Sequence, residues 1–131
     1  MAVENSGAGT ARAEGHGVVF TALRKLLKPY EADLAIRIDK PGNCYLETRA
    51  SSMNGRRMFF AGAKIKKNYV SYYLPALYMF PDLSDRISPS LRKMMQGQAC
   101  FNFTVANQDW FEELSRLTQA GFQKLKSESL L

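Results

Sequence analysis

Histidine is almost missing from this 131-residue chain, and His16 is the single one. A Ser-His-Asp or Cys-His nucleophile would have to be built on it, because that chemistry needs an imidazole to carry the proton. Cysteine is nearly as scarce. Cys44 and Cys100, even with His16, do not complete a four-ligand zinc cage, and none of the three stands at close ligand spacing. A chain of this length buries enough core to fold without a disulfide framework. Both cysteines fall in expected strands and read as small apolar residues of a reducing compartment. No segment approaches the roughly 18 apolar residues of a membrane span. Residues 1–15 lack the apolar centre of a signal peptide. The expectation is a soluble, cytoplasmic protein without a membrane partner. Glycine-rich phosphate loops are lacking too, since Gly7-Ala8-Gly9 is not set between a strand and a helix. No cofactor and no metal site is expected.

Acidic residues are in the minority, 12 against 18 Lys and Arg, for a net charge of +6. Residues 1–16 contribute −1 (Glu4 and Glu14 against Arg12), which leaves +7 for the remainder. That balance favours acidic partners over basic ones. The composition, 46% hydrophobic and 23% charged, suits one globular domain. Residues 1–16 are rich in Gly, Ala and Glu without periodicity and read as a disordered tail. A single α+β domain is expected over 17–127, with 128–131 as a short C-terminal tail.

Within that domain the spacing of Val19, Leu23, Leu26 and Leu27 predicts a helix over 18–28, ended by Pro29. Leu34, Ile36 and Ile38 alternate with Ala35, Arg37 and Asp39, and Cys44, Leu46 and Thr48 alternate with Tyr45, Glu47 and Arg49. Asp39-Lys40-Pro41-Gly42-Asn43 between them suits a type II turn. A further turn is expected over 51–55. A strand over 58–66 then places Phe59, Ala61, Ala63 and Ile65 inward, with Phe60, Gly62, Lys64 and Lys66 outward. A two-residue turn at Lys67-Asn68 would pair Ile65 with Val70, Ala63 with Tyr72 and Gly62 with Tyr73. Ser88-Pro89 opens a short helix that Gly97 follows, after a stretch over 75–87 that is irregular or a short helical turn. Phe101 and Phe103 point inward from a fifth strand over 99–104. Asn107 caps a last helix whose Phe111, Leu114, Leu117, Phe122 and Leu125 form an apolar stripe. The fold class is α+β: a mostly antiparallel five-stranded sheet with the N- and C-terminal helices on one face, in the order α-β-β-β-β-α-β-α.

Leu23-Arg24-Lys25-Leu26-Leu27, Ala61-Gly62-Ala63-Lys64-Ile65-Lys66-Lys67-Asn68-Tyr69-Val70, Tyr78-Met79-Phe80-Pro81-Asp82-Leu83 and Gln98-Ala99-Cys100-Phe101-Asn102-Phe103 follow in this order. With them the chain, from about residue 18 to 126, resembles the YdhG-like family of small bacterial domains of unknown function. It would be a divergent member, because a Trp-Gly-x-Pro-type sequence before the central hairpin is missing. The resemblance implies a non-enzymatic domain. One branch of that family is described as a frataxin-like iron chaperone, a type that binds iron on an acidic ridge. Here the acidic residues form only small groups, Asp82 with Asp85, and Asp109 with Glu112 and Glu113. Helix capping accounts for Asp82 and Asp85, and a surface pair with Arg116 accounts for Glu113. An intracellular iron chaperone is the alternative reading.

The candidate working surface is the outer sheet face. Alternation collects Arg37, Tyr45, Glu47, Arg49, Phe60, Lys64, Lys66, Tyr69, Tyr73, Cys100 and Asn102 there. Four cations against one carboxylate leave a local excess of +3. Cations steer carboxylate and phosphate groups, and aromatics offer planar contact. The binding candidates are Lys64, Lys66, Tyr69, Tyr73, Arg37 and Arg49, in a non-enzymatic module for a protein or a small anionic ligand. Such a face also admits single-stranded nucleic acid or a second copy of the chain.

Overall fold

The computed structural model describes residues 8–49 and 57–128. Residues 1–7 of the expected tail, the turn over 51–55 and residues 129–131 lie outside the described residues. Helix α1 spans Ala8–Leu27 and continues into a 3-10 turn, Lys28–Tyr30, with Pro29 in it. The helix therefore starts ten residues before the expected position and takes in much of the expected tail. Periodicity is absent there, but Ala, Arg and Glu are good helix formers, and a helix held by packing at one end extends one residue at a time. His16 lies in this helix and is buried.

Strands β1 (Leu34–Lys40), β2 (Asn43–Thr48), β3 (Phe59–Ile65), β4 (Val70–Tyr73) and β5 (Cys100–Phe103) form one antiparallel sheet in sequence order. Gly42, at φ 75°, supplies the positive dihedral that the Pro41-Gly42 turn between β1 and β2 requires. At the β3–β4 hairpin, Ile65 pairs with Val70, Ala63 with Tyr72 and Gly62 with Tyr73, as the alternation predicts. The amide of Lys66 donates to Tyr69 O at 2.7 Å, closing the two-residue turn.

Two bulges change the faces elsewhere. Between β2 and β3, Leu46 opposes Ala61 and Glu47 opposes Phe59, so Phe60 is an extra residue. The expected assignment is thereby reversed. Phe60 is buried on the helix side, 5.4 Å from the Tyr30 ring and 5.9 Å from Phe122, while Phe59 lies against Tyr45 on the outer face. Between β1 and β2, Ile36 opposes Leu46 and Ile38 opposes Tyr45, which makes Arg37 the extra residue. Ile38 thus joins the outer face instead of the core. One added residue shifts everything beyond it by one place, and in a strand one place is a change of face.

Between β4 and β5 the chain makes three short helices, α2 (Ala76–Met79), α3 (Pro81–Ser84) and α4 (Pro89–Arg92). The hydroxyl of Ser88 accepts from Leu91 N, as an N-cap should. The Ser88 amide and hydroxyl both donate to the Glu113 carboxylate at 2.7 Å, so Glu113 serves the docking of α4 rather than the expected pair with Arg116. Met95 bridges to Phe101 beside the edge of β5. Helix α5 (Gln108–Ser127) starts on the Asn107 cap, whose side chain accepts from Trp110 N.

The core lies between the sheet and the α1–α5 layer. Val19, Leu23 and Leu27 of α1 and Leu114, Leu117 and Leu125 of α5 cover Leu46, Ala61, Ala63, Tyr72, Phe101 and Phe103. Each large side chain so buried contributes about 1.5–3 kcal/mol of transfer free energy.

Candidate functional site: the outer face of the sheet

Strand pairing brings two cross-strand rows to the face away from the helices. One runs Tyr45, Gly62, Tyr73, Cys100, and the other Asn43, Lys64, Ser71, Asn102. Gly62 is where the chain comes closest to its neighbours. A Cβ there would stand 2.6 Å from the Cys44 carbonyl oxygen and 3.3 Å from the Phe59 ring. The absent side chain lets Phe59 lie back along β3 onto the backbone. Phe59 then stacks on Tyr45, with centroids 4.1 Å apart and planes 9° from parallel, and approaches Tyr73 at 6.2 Å.

Beside this ridge is a groove of about 270 Å³ lined by Ile38, Asn43, Tyr45, Phe59, Lys64 and Tyr73, with Gly62 in its floor. Lys64 is exposed and Lys66 half-exposed. Tyr73, with Tyr69 and Cys100 nearby, holds the Lys66 ammonium pKa above its ordinary value. Lys66 is thus folded toward a residue that lines the groove. The row beyond Lys64 is polar and internally satisfied. The Ser71 hydroxyl donates to Asn102 Oδ1 at 2.7 Å, the Cys100 thiol donates to the same oxygen at 3.5 Å, and Asn102 Nδ2 donates to Gln96 Oε1 at 2.5 Å. Burial raises the Cys100 thiol pKa, which keeps it protonated and a poor nucleophile at neutral pH.

Of the expected binding residues, Lys64 and Tyr73 line the groove, Lys66 and Tyr69 lie beside Tyr73 outside its lining, and the two arginines stand apart. Arg49 donates from Nε to the Leu34 carbonyl at 3.2 Å, on the edge strand. Arg37 is the bulged residue of that strand, and neither arginine lines the groove. Glu47, the carboxylate of this face, is 3.4 Å from Arg57. Alternation does not point to Phe59 and Ile38, because the bulges reverse them, nor to Asn43, which falls in the expected turn. The Tyr45-x₁₆-Gly62 juxtaposition has no local signal at all.

Cys44 and Cys100 are free thiols on opposite sheet faces. Cys44 is buried near Arg24, which Glu31 binds at 2.6 Å and Asp39 at 3.6 Å. Asp82, expected to cap a helix, instead pairs with Lys124 at 2.9 Å, and Arg86 is 4.0 Å away. The Lys124 hydrogen bond holds its carboxyl below the usual carboxylate range. Among the described residues no three His, Cys, Asp or Glu side chains are grouped to hold a metal ion, and no helix is long and apolar enough to cross a membrane. A larger concavity, about 930 Å³, lies between α1 and α5 against Val18, Ala22, Leu26 and Phe111. Its charged side chains are one cation, Lys25, and one carboxylate, Glu112, so it carries no net charge with which to select a ligand.

Comparison with family models, curated proteins and solved structures finds no match to this chain.

Proposed function

We propose that this chain is a non-enzymatic binding module whose outer sheet face takes an anionic partner. The observation that carries the reading is an aromatic groove that Lys64 lines, that Lys66 flanks from beside Tyr73, and that no carboxylate lines. Unpaired cations next to apolar surface attract anions at long range and gain from partial desolvation at contact. The buried, satisfied side chains of the other face are engaged in packing. The resemblance to YdhG-like bacterial domains agrees with such a role, and two free thiols agree with a cytoplasmic setting. The iron-chaperone alternative draws less support, because the Asp82 carboxylate is committed to Lys124.

The test is fluorescence anisotropy with a labelled hexaglutamate peptide. Lys64→Glu and Lys66→Glu should each weaken binding by about tenfold, and added salt should weaken binding to the unsubstituted chain. Unchanged affinity in both variants would overturn the reading.

A further inference from the structure

The shape of the groove narrows the class of anion. Its long walls are apolar or aromatic: Ile38 and Tyr45 on the β1–β2 side, Tyr73 on the β4 side, and Phe59 at one end. The floor at Gly62 carries no side chain of its own and is covered by the Phe59 ring, so the open space lies on the Lys64 side of that ring. Polar groups collect at the other end, where Asn43 and Lys64 pair across β2 and β3, and Lys66 stands beside Tyr73 just outside the lining. A ligand filling this space needs an apolar body and a charged head at one end. The volume, about 270 Å³, equals roughly nine waters in the liquid, the size of a single ring with one substituent.

Two other anion classes fit less well. Nucleobases bind single-strand platforms by stacking on open aromatic faces. Here Tyr45 and Phe59 are stacked on each other, and Tyr73 stands too close to Phe59 for a base to enter between them. A polyphosphate chain needs a track of cations, whereas the lysines here sit at one end of the groove.

Resting on the proposed role of the outer face, we infer that the groove is a site for a small amphipathic monoanion, an aryl or branched-chain carboxylate. Its apolar body lies against Ile38, Tyr45 and Tyr73 on the Lys64 side of the Phe59 ring, and its carboxylate meets Lys64 and the Asn43 amide, with Lys66 adding positive charge from beside Tyr73.

Benzoate is a direct probe, with benzyl alcohol as the uncharged ring and acetate as the ringless charge. Each is titrated into the ¹⁵N-labelled full chain at low salt and followed by amide chemical shifts. Benzoate should move the Gly62, Lys64 and Tyr73 amides with a dissociation constant of roughly 0.1–1 mM. Benzyl alcohol and acetate should each bind at least about tenfold more weakly. Replacing both lysines (Lys64→Met with Lys66→Met) should weaken benzoate by about tenfold while the core amides keep their positions. The inference is overturned if benzoate leaves those three amides unmoved, if the alcohol or acetate binds as well as benzoate, or if the double variant binds benzoate unchanged. Hexaglutamate separates the two levels. If the peptide binds and responds to Lys64→Glu while benzoate moves no groove amide, the inference falls and the anion-binding face stands. If neither probe binds, both fall.

Discussion

The Tyr72 side chain is completely buried, and its phenol oxygen lies 2.6 Å from Thr118 Oγ1, joining β4 to α5 through a bond shielded from water. Burial pushes the phenol pKa up, so the group stays neutral. Removing one partner of a buried pair strands the other, whereas removing both leaves no orphan. Tyr72→Phe should therefore cost about 1–2 kcal/mol in urea denaturation, and adding Thr118→Val should cost less than the two single changes together. Asp82 permits a signed pH test. Its folded pKa lies below its ordinary value because of Lys124, so the stabilisation is present above the unfolded carboxylate pKa and is lost as pH falls through the folded one. Asp82→Asn should lower the denaturation midpoint at neutral pH. The gap between variant and parent should close in acid, below the usual Asp range.

At the scale of elements, the bulge at Phe60 decides what the central strand offers to each face. The alternation of β3 on its own sends Phe59 inward and Phe60 outward, yet Phe60 packs with Tyr30 and Phe122 in the core. Phe60→Ala should therefore cost about 3–5 kcal/mol by leaving a cavity. Phe59→Ala, on the half-open face, should cost less than about 2 kcal/mol. Equal losses in thermal or urea unfolding would contradict the placement. The same displacement creates the groove, since Phe59 could not lie over Gly62 if it pointed at the helices. At the edge strand, the bulged Arg37 and the Arg49 bond to the Leu34 carbonyl blunt a row of backbone groups that could otherwise recruit another strand.

For the whole molecule, packing and charge are divided between the two faces of one sheet. Tertiary burial holds the helices on the first, while the lysines of the second are peripheral to stability. Lys64→Glu and Lys66→Glu should accordingly leave the unfolding free energy within about 0.5 kcal/mol, which denaturation curves can establish alongside the binding test. Much of this division is legible in the chain itself. The α5 stripe, its Asn107 cap, the Ser88 cap, the Pro41-Gly42 turn and the β3–β4 register follow from local chemistry and period, because each depends on residues a few positions apart. The lysine pair is legible for the same reason. The two bulges are not, because an extra residue is defined only against the partner strand, and nothing within Phe59-Phe60 or Ile36-Arg37-Ile38 says which residue the neighbour will skip. The α+β order, the basic balance and the cationic end of β3 follow from the residues read in order along the chain. That Phe59 and Ile38 join Tyr45 and Tyr73 around Gly62 comes from the assembled sheet, since strand pairing, not alternation, sets the face of every residue beyond a bulge.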